Sequence, residues 1–189
     1  MRIVGGRFRG RLLAAPTHAG TRPTSDRVRE AIFNILAHGT AEVALEGAKV
    51  LDLFAGTGAL GLEALSRGAL FCLFVEHDPA ARALTRRNIE ALGLTGASKL
   101  FRRDATELGP AGKNSGFTLA FLDPPYGQGL AARSLASAAA GGWLAPGAVV
   151  VVEERKGCDV ALPGSYAAFD QRTWGDTQAL FAHFMPDRS

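Results

Sequence analysis

Residues Asp123-Pro124-Pro125-Tyr126 combine an acceptor, two residues that cannot donate a backbone hydrogen bond, and an aromatic ring. They follow the apolar run Phe117 to Leu122, which is bounded by Gly116 and reads as a buried strand. That order suits one difficult reaction. An exocyclic amine on a nucleobase is a poor nucleophile because its lone pair is delocalised into the ring. Two acceptors gripping its two N–H bonds push the nitrogen toward tetrahedral geometry and free the pair. Asp123 supplies one acceptor and the Pro124 carbonyl the other. Tyr126 offers a stacking surface worth about 1–3 kcal/mol, and Gly127 lets the chain turn away. A plain strand end followed by a proline turn has the same composition, so the choice rests on the rest of the chain.

A second cluster lies upstream. Asp52 is followed by Phe54-Ala55-Gly56-Thr57-Gly58-Ala59-Leu60-Gly61, in which Gly56, Gly58 and Gly61 satisfy G-x-G-x-x-G, with Glu76 20 residues beyond Gly56. A nicotinamide dinucleotide is a real competitor for such a turn. Asp52 argues against it, because a carboxylate beside the glycines repels a pyrophosphate. It favours a ligand that ends in an ammonium beside a sulfonium, namely S-adenosylmethionine. Glu76 can accept both ribose hydroxyls and Asp104 the adenine amine, with Ala105 clamping the ring. Phe54, Ala55 and His77 flank these contacts and are grouped with them as cofactor residues. Asp52, Glu76, Asp104 and Asp123 all fall at or just past strand ends, the edge at which open α/β sheets bind ligands.

The elements that must carry these residues alternate regularly. The spacing predicts strands over Val50–Phe54, Leu70–Val75, Ser98–Phe101, Phe117–Leu122 and Ala148–Val152, and helices over Ala59–Arg67, Pro79–Leu92 and Leu130–Trp143. Tyr166–Thr173 and Ala179–Phe184 read as a closing hairpin around Gly175. Alternation of this kind implies a mostly parallel sheet with helices on both faces. Upstream, Thr24 or Ser25 caps a helix whose apolar face is Val28, Ile32, Ile35 and Leu36, ending near His38. The segment from Arg2 to Leu13 reads as a small glycine-broken hairpin. In a strand, Arg7, Arg9 and Arg11 would project from one face.

With 189 residues and 47% apolar residues, one large domain with a small appendage is expected: a basic hairpin and loop over 1–22 and a body over 23–186. Residues 1–30 hold seven arginines against Asp26 and Glu30, a net of +5, so the remaining chain carries −2 of the overall +3. A basic segment on a slightly acidic body suggests polyanion contact local to Arg7, Arg9, Arg11 and Arg22. Cys72 and Cys158 form no CxxC pair, and no Cys/His spacing suits a metal. No signal-peptide or membrane-length run occurs, so no membrane partner and a cytoplasmic location are expected.

The order of these motifs resembles the amino-methylating class of S-adenosylmethionine-dependent methyltransferases. The flanks Arg2-Ile-Val-Gly-Gly-Arg-Phe-Arg-Gly-Arg-Leu, Arg22-Pro-Thr-Ser-Asp-Arg-Val-Arg-Glu-Ala-Ile-Phe-Asn and Gly175-Asp-Thr-Gln resemble the RsmD family. The resemblance runs from Arg2 to Phe184. It implies a seven-stranded Rossmann-like methyltransferase sheet with a basic N-terminal hairpin. It also implies methylation of guanine N2 in small-subunit (16S) ribosomal RNA, within an assembling subunit or naked. By it Asp52, Gly56 and Gly58 line the methionine end of the donor, with Thr24 and Arg27 near them. Glu76 holds the ribose, Asp104 lies by the adenine, and Asp123 to Tyr126 hold the base. His77, Thr118 and Phe184 depart from the family's usual residues. Adenine N6 methylation fits the Asp-Pro-Pro-Tyr motif equally well. A nicotinamide-dependent oxidoreductase and a non-catalytic RNA-binding protein are the rival classes.

Overall fold

The computed structural model describes residues 1–16, 25–39 and 43–186. Seven strands form one sheet in the order β3-β2-β1-β4-β5-β7-β6. They are β1 (Lys49–Leu53), β2 (Phe71–Val75), β3 (Ser98–Phe101), β4 (Phe117–Leu122), β5 (Leu144–Arg155), β6 (Tyr166–Trp174) and β7 (Thr177–Phe184). β1 to β5 pair in parallel, and β7 runs antiparallel between β5 and β6. Gly175, at φ 59°, makes the reversal that puts β6 outside β7.

The helices are α1 (Asp26–His38), α2 (Ala59–Ser66), α3 (Pro79–Ala91) and α4 (Leu130–Ala140). Local chemistry starts two of them. Ser25 Oγ accepts from Val28 N–H at 3.2 Å, and Asp78 accepts from Ala81 N–H at 2.7 Å with Pro79 in the first turn. Strand alternation then sorts the core into two layers. Val50, Cys72, Phe74, Leu119 and Phe121 pack with α1, α2 and α3, whereas Leu51, Leu53, Leu73 and Val75 pack with α4 and Trp143. Asp52 lies on the first of these faces and so points toward α2.

Three expectations need correction. The fifth strand begins at Leu144, not Ala148, because pairing resumes across a register shift opposite Phe117 to Leu119, past Pro146 and Gly147. α4 ends at Ala140 instead of Trp143. Gly142 takes φ 68° there, and Trp143 turns inward so that Nε1 donates to Gly109 O at 2.8 Å. The N-terminal segment is hairpin-like but holds a single antiparallel bridge, Arg2 to Leu12, and its tip is a 3-10 turn over Gly6–Phe8. Arg7, Arg9 and Arg11 are exposed, but no strand aligns them on one face.

The reason is how that tip is seated. A Cβ on Gly6, which sits at φ +72°, would lie 1.9 Å from Ser66 O, so only glycine allows this approach. Ser66 Oγ donates to Gly5 O at 2.6 Å and accepts from Phe8 N–H at 3.0 Å. Beneath, the fully buried Glu63 accepts from Val4 N–H at 2.9 Å and from Arg67 Nε at 2.8 Å. The fully buried Arg29 lies 3.6 Å from Glu63 and donates to Arg2 O and to Asp26 Oδ1. Thus the segment is fastened by a buried ionic network on α1 and α2.

Candidate active site

Strand register builds the site. Leu53 pairs with both Val75 and Leu122, and Leu122 pairs with Val152. The residues that follow, Glu76, Phe54, Asp123 and Glu153, therefore stand side by side along the carboxyl edge of the sheet. Neighbouring strands are about 4.8 Å apart, which puts Glu76 and Asp123 about 10 Å apart across β1. This is also where the chain order switches from the β2–β3 side to the β4–β5 side of β1. A cavity of about 1190 Å³ opens there and is lined from both ends, by Asp52, Phe54, Gly56 and Glu76 and by Asp123, Pro124, Pro125 and Tyr126. That volume exceeds the ordinary single-ligand range and leaves room for two reactants.

At the glycine end, Phe54 is the one non-glycine residue with positive φ (59°) among the described residues, a conformation that costs about 1–3 kcal/mol. It turns the chain off β1 so that Ala55 and Gly56 (φ 58°) form the cavity wall. Glu76 Oε2 accepts from Gly56 N–H and Oε1 from Asp78 N–H, each at 2.9 Å. Each oxygen keeps a further acceptor site for a ligand hydroxyl. Two α3 side chains tie the turn's carbonyls down: Thr85 Oγ1 donates to Gly56 O at 2.7 Å and Asn88 Nδ2 to Thr57 O at 2.9 Å. Gly58, at φ 79°, caps α2 and packs against Thr85 and Phe74; it is not on the cavity wall. A Cβ on Gly61 would lie 2.4 Å from the Phe74 ring and 2.9 Å from Asp52, so this glycine permits close helix–sheet packing.

Asp52 is 2% exposed, and its Oδ2 accepts from Gly61 N–H at 3.0 Å. Burial pushes its carboxyl up to about 8; the Gly61 amide opposes the shift and the Glu76 charge adds to it. His77 is exposed on the rim, 3.6 Å from Glu76. Asp104 and Ala105 do not join the wall. Asp104 Oδ1 accepts from both the amide and the hydroxyl of Thr106 at 2.8 Å, which holds its carboxyl below the ordinary range. Ala105 is buried in the α4-side core. Thr24 and Arg22 lie outside the described residues.

At the other end, Pro124 is buried, Asp123 and Tyr126 are half-buried, and Pro125 is exposed. The Tyr126 hydroxyl donates to Glu153 Oε1 at 3.0 Å. Burial, then the charges of Glu153 and Asp123, hold this phenol protonated far above its ordinary pKa, so it stays a donor. Glu154 Oε1 accepts from Gly127 N–H at 3.1 Å and from Arg155 N–H at 2.8 Å. Glu153 and Glu154, 2% and 6% exposed, escaped the sequence reading because an acid closing a strand looks like a solvated end. Arg155 and Lys156, which also line the cavity, were missed for the same reason. Thr85 and Asn88 had one faint signal, polar residues three apart on the face of α3 that carries Ile89.

The arginines of the N-terminal segment are elsewhere. Arg7 and Arg9 flank Phe8 at the C-terminal end of α2, and Arg11 Nη2 donates to Ala91 O at the C-terminal end of α3. α2 spans eight residues, so that end lies about 12 Å from the glycine turn.

Comparison with known proteins places this geometry in a family. The model described as "Conserved hypothetical protein 95", that of the RsmD family, matches residues 1–183. The chain is similar to ribosomal RNA small subunit methyltransferase D of Escherichia coli strain K12, 40% identical over 153 residues, which cover 81% of this chain and 74% of the relative. It is similar to the protein of the same name from Haemophilus influenzae, 32% identical over 177 residues, covering 93% and 89%. Among solved structures it matches the Escherichia coli protein yhhF, described as a candidate methyltransferase, at 32% identity and a TM-score of 0.82, covering 99% of each chain. The Rossmann-like methyltransferase sheet expected from sequence is the sheet observed.

Proposed function

Because this chain belongs to the RsmD family, we propose that it transfers a methyl group from S-adenosylmethionine to the N2 amine of a guanine in small-subunit ribosomal RNA. The observation that carries the reading is that Asp123 to Tyr126 and the Phe54–Gly56 turn face one cavity. The donor set suits S-adenosylmethionine. Asp52 faces the methionine end, where an ammonium or sulfonium would favour its ionised form. The Gly56 backbone allows close approach, and Glu76 has acceptor capacity for the ribose. When bound, the donor supplies an electrophilic methyl group.

The chain's own residues prepare the nucleophile. The target base leaves its stack, at a cost of a few kcal/mol if it was paired. Tyr126 receives its face, while Asp123 and the Pro124 carbonyl accept from the two amine N–H bonds. This grip frees the nitrogen lone pair and orients it, which is where most of the acceleration arises. The nitrogen would form its bond to the methyl carbon as the carbon–sulfur bond breaks to leave a neutral thioether. The amine would then lose one proton to Asp123 or water. No cysteine takes part, since Cys72 is buried in the core and Cys158 is off the cavity wall. A pyrophosphate in the glycine turn would face Glu76 and Asp78, which disfavours a nicotinamide dinucleotide. No helix among the described residues is long and apolar enough to cross a membrane, and no described group of three or more His, Cys, Asp or Glu could hold a metal ion. We take the working site to be the cytoplasm and the substrate to be an assembling small subunit or its RNA.

The test is incubation with labelled S-adenosylmethionine and under-methylated small-subunit RNA, followed by digestion to nucleosides. Label in N2-methylguanosine is expected. Label in N6-methyladenosine would transfer the proposal to the other amine, and no label in any nucleoside would end it.

A further inference from the structure

The cavity wall is acidic. Glu76, Asp78, Asp123 and Asp176 line it, and the Arg and Lys side chains among its described residues are those of Arg155 and Lys156. Both cations stand at the Tyr126 end, Arg155 as the last residue of β5 and Lys156 just past it. A base delivered to Tyr126 arrives attached to its sugar and phosphate, and an acidic wall repels that phosphate unless a cation receives it. Arg7, Arg9 and Arg11, at the C-terminal ends of α2 and α3, are not on the cavity wall.

The basic pair is also built in. Glu154 Oε1 holds the amides of Gly127 and Arg155 together, so one carboxylate joins the base-gripping loop to the basic turn. Lys156 N–H donates to Asp176 O at 2.8 Å, and Cys158 N–H to Arg155 O at 3.0 Å. Gly157, at φ 82°, donates to Gln178 Oε1 at 3.1 Å, and Gln178 Nε2 donates to Cys158 O at 2.5 Å. A turn held by these five hydrogen bonds presents its side chains from a rigid base. Asp176 shares this rim, and it confines an anion to the Arg155–Lys156 side.

We infer that Arg155 and Lys156 form the seat for the backbone phosphate of the nucleotide whose base enters the cavity, an inference that rests on reading the site as an RNA-base methyltransferase. Arginine offers a planar fork for two phosphate oxygens and lysine a point charge beside it. Base grip and phosphate seat then act as one unit, because Glu154 fixes the distance between them.

The experiment is a salt titration of RNA affinity for the wild type, the Arg155→Gln/Lys156→Gln double variant and the charge-keeping Arg155→Lys/Lys156→Arg swap. S-adenosylmethionine affinity and thermal midpoint are measured on each as the folding control. Loss of two contacts to a single strand lowers the slope of log affinity against log salt by about 1.4. The double variant should show that loss with a roughly tenfold weaker affinity at low salt, and the swap should keep the wild-type slope. A double variant that binds S-adenosylmethionine normally yet keeps the wild-type slope overturns the phosphate seat. A wild type that methylates no RNA overturns the functional reading itself, which the salt slopes do not test.

Discussion

The Tyr126 hydroxyl donates to Glu153 Oε1 at 3.0 Å, joining the last residue of the Asp-Pro-Pro-Tyr loop to the strand beside it. Because β4 and β5 are in register at Leu122 and Val152, Glu153 stands directly beside Asp123. The ring proposed to receive the base is thereby fixed at its far tip. Tyr126→Phe keeps the ring and frees the tip, so turnover should fall about tenfold with little change in RNA affinity. Tyr126→Ala should also weaken RNA binding, by the roughly 1–3 kcal/mol that base–aromatic stacking provides. Equal effects of both substitutions on turnover and affinity would count against this division of labour.

Asp123→Ala removes one of the two acceptors proposed to grip the amine. By analogy with loss of a single oriented polar group, turnover should drop by roughly 10²–10³. Affinity for S-adenosylmethionine, measured by calorimetry, should barely change. An Asp123→Ala enzyme of full activity would refute the assignment of this loop.

Asp52 gives a pH signature. Its carboxyl titrates near 8 in the fold against an ordinary 3.8, so the folded state binds the extra proton between those values. Stability from this group is therefore greatest below pH 4 and declines as pH rises toward 8. Asp52→Asn can still accept from Gly61 and loses nothing with pH. Without cofactor, its melting temperature should exceed the wild type's by several degrees at pH 8, at about 2–4 °C per kcal/mol, and the gap should narrow toward pH 5. Its affinity for S-adenosylmethionine should fall at least about tenfold, one lost charge interaction of roughly 1.4 kcal/mol. Melting curves that keep a constant separation from pH 5 to 8 would show that Asp52 is ionised throughout.

Glu63→Ala leaves Arg29 buried without that carboxylate. Breaking one side of such a buried pair costs about 3–5 kcal/mol. Hydrogen exchange should report it locally as well, since Val4 N–H loses its acceptor. Val4 should exchange much faster in the variant even under conditions where the β1 and β4 amides remain protected.

Arg7→Glu/Arg9→Glu/Arg11→Glu tests the other basic surface. If these arginines hold RNA at a distance from the cavity, the triple variant should lose RNA affinity while binding S-adenosylmethionine normally. A short oligonucleotide spanning only the target loop should feel little of this change. Unweakened methylation of full-length RNA at moderate salt would exclude the segment from docking.

Strand ends, helix starts and the two motifs were legible because each is written locally. Ser25 and Asp78 cap where their types predict, and the apolar runs become strands 1 to 4 within a residue or so of the expected bounds. What was not legible depends on contacts distant in sequence. Arg29 sits one residue from Val28 and reads as exposed until Glu63 reaches it from α2. Glu153 reads as a solvated acid until Tyr126 arrives 27 residues earlier in the chain. The insertion of β7 between β5 and β6 follows from a hairpin folding back, which no periodicity records. Alternation along an assumed strand misplaced Arg7, Arg9 and Arg11, because the approach of Gly6 to Ser66 O decides the conformation there.

One carboxamide, that of Asn88, accepts from Ala14 N–H at 2.7 Å and donates to Ala14 O at 3.0 Å and Thr57 O at 2.9 Å. The amino-terminal arm and the glycine turn thus hang from the same hook. A load that drags residue 14 sideways, whether a docked ribosomal helix or a fused tag, is transmitted through two hydrogen bonds to the floor on which the methyl donor would rest.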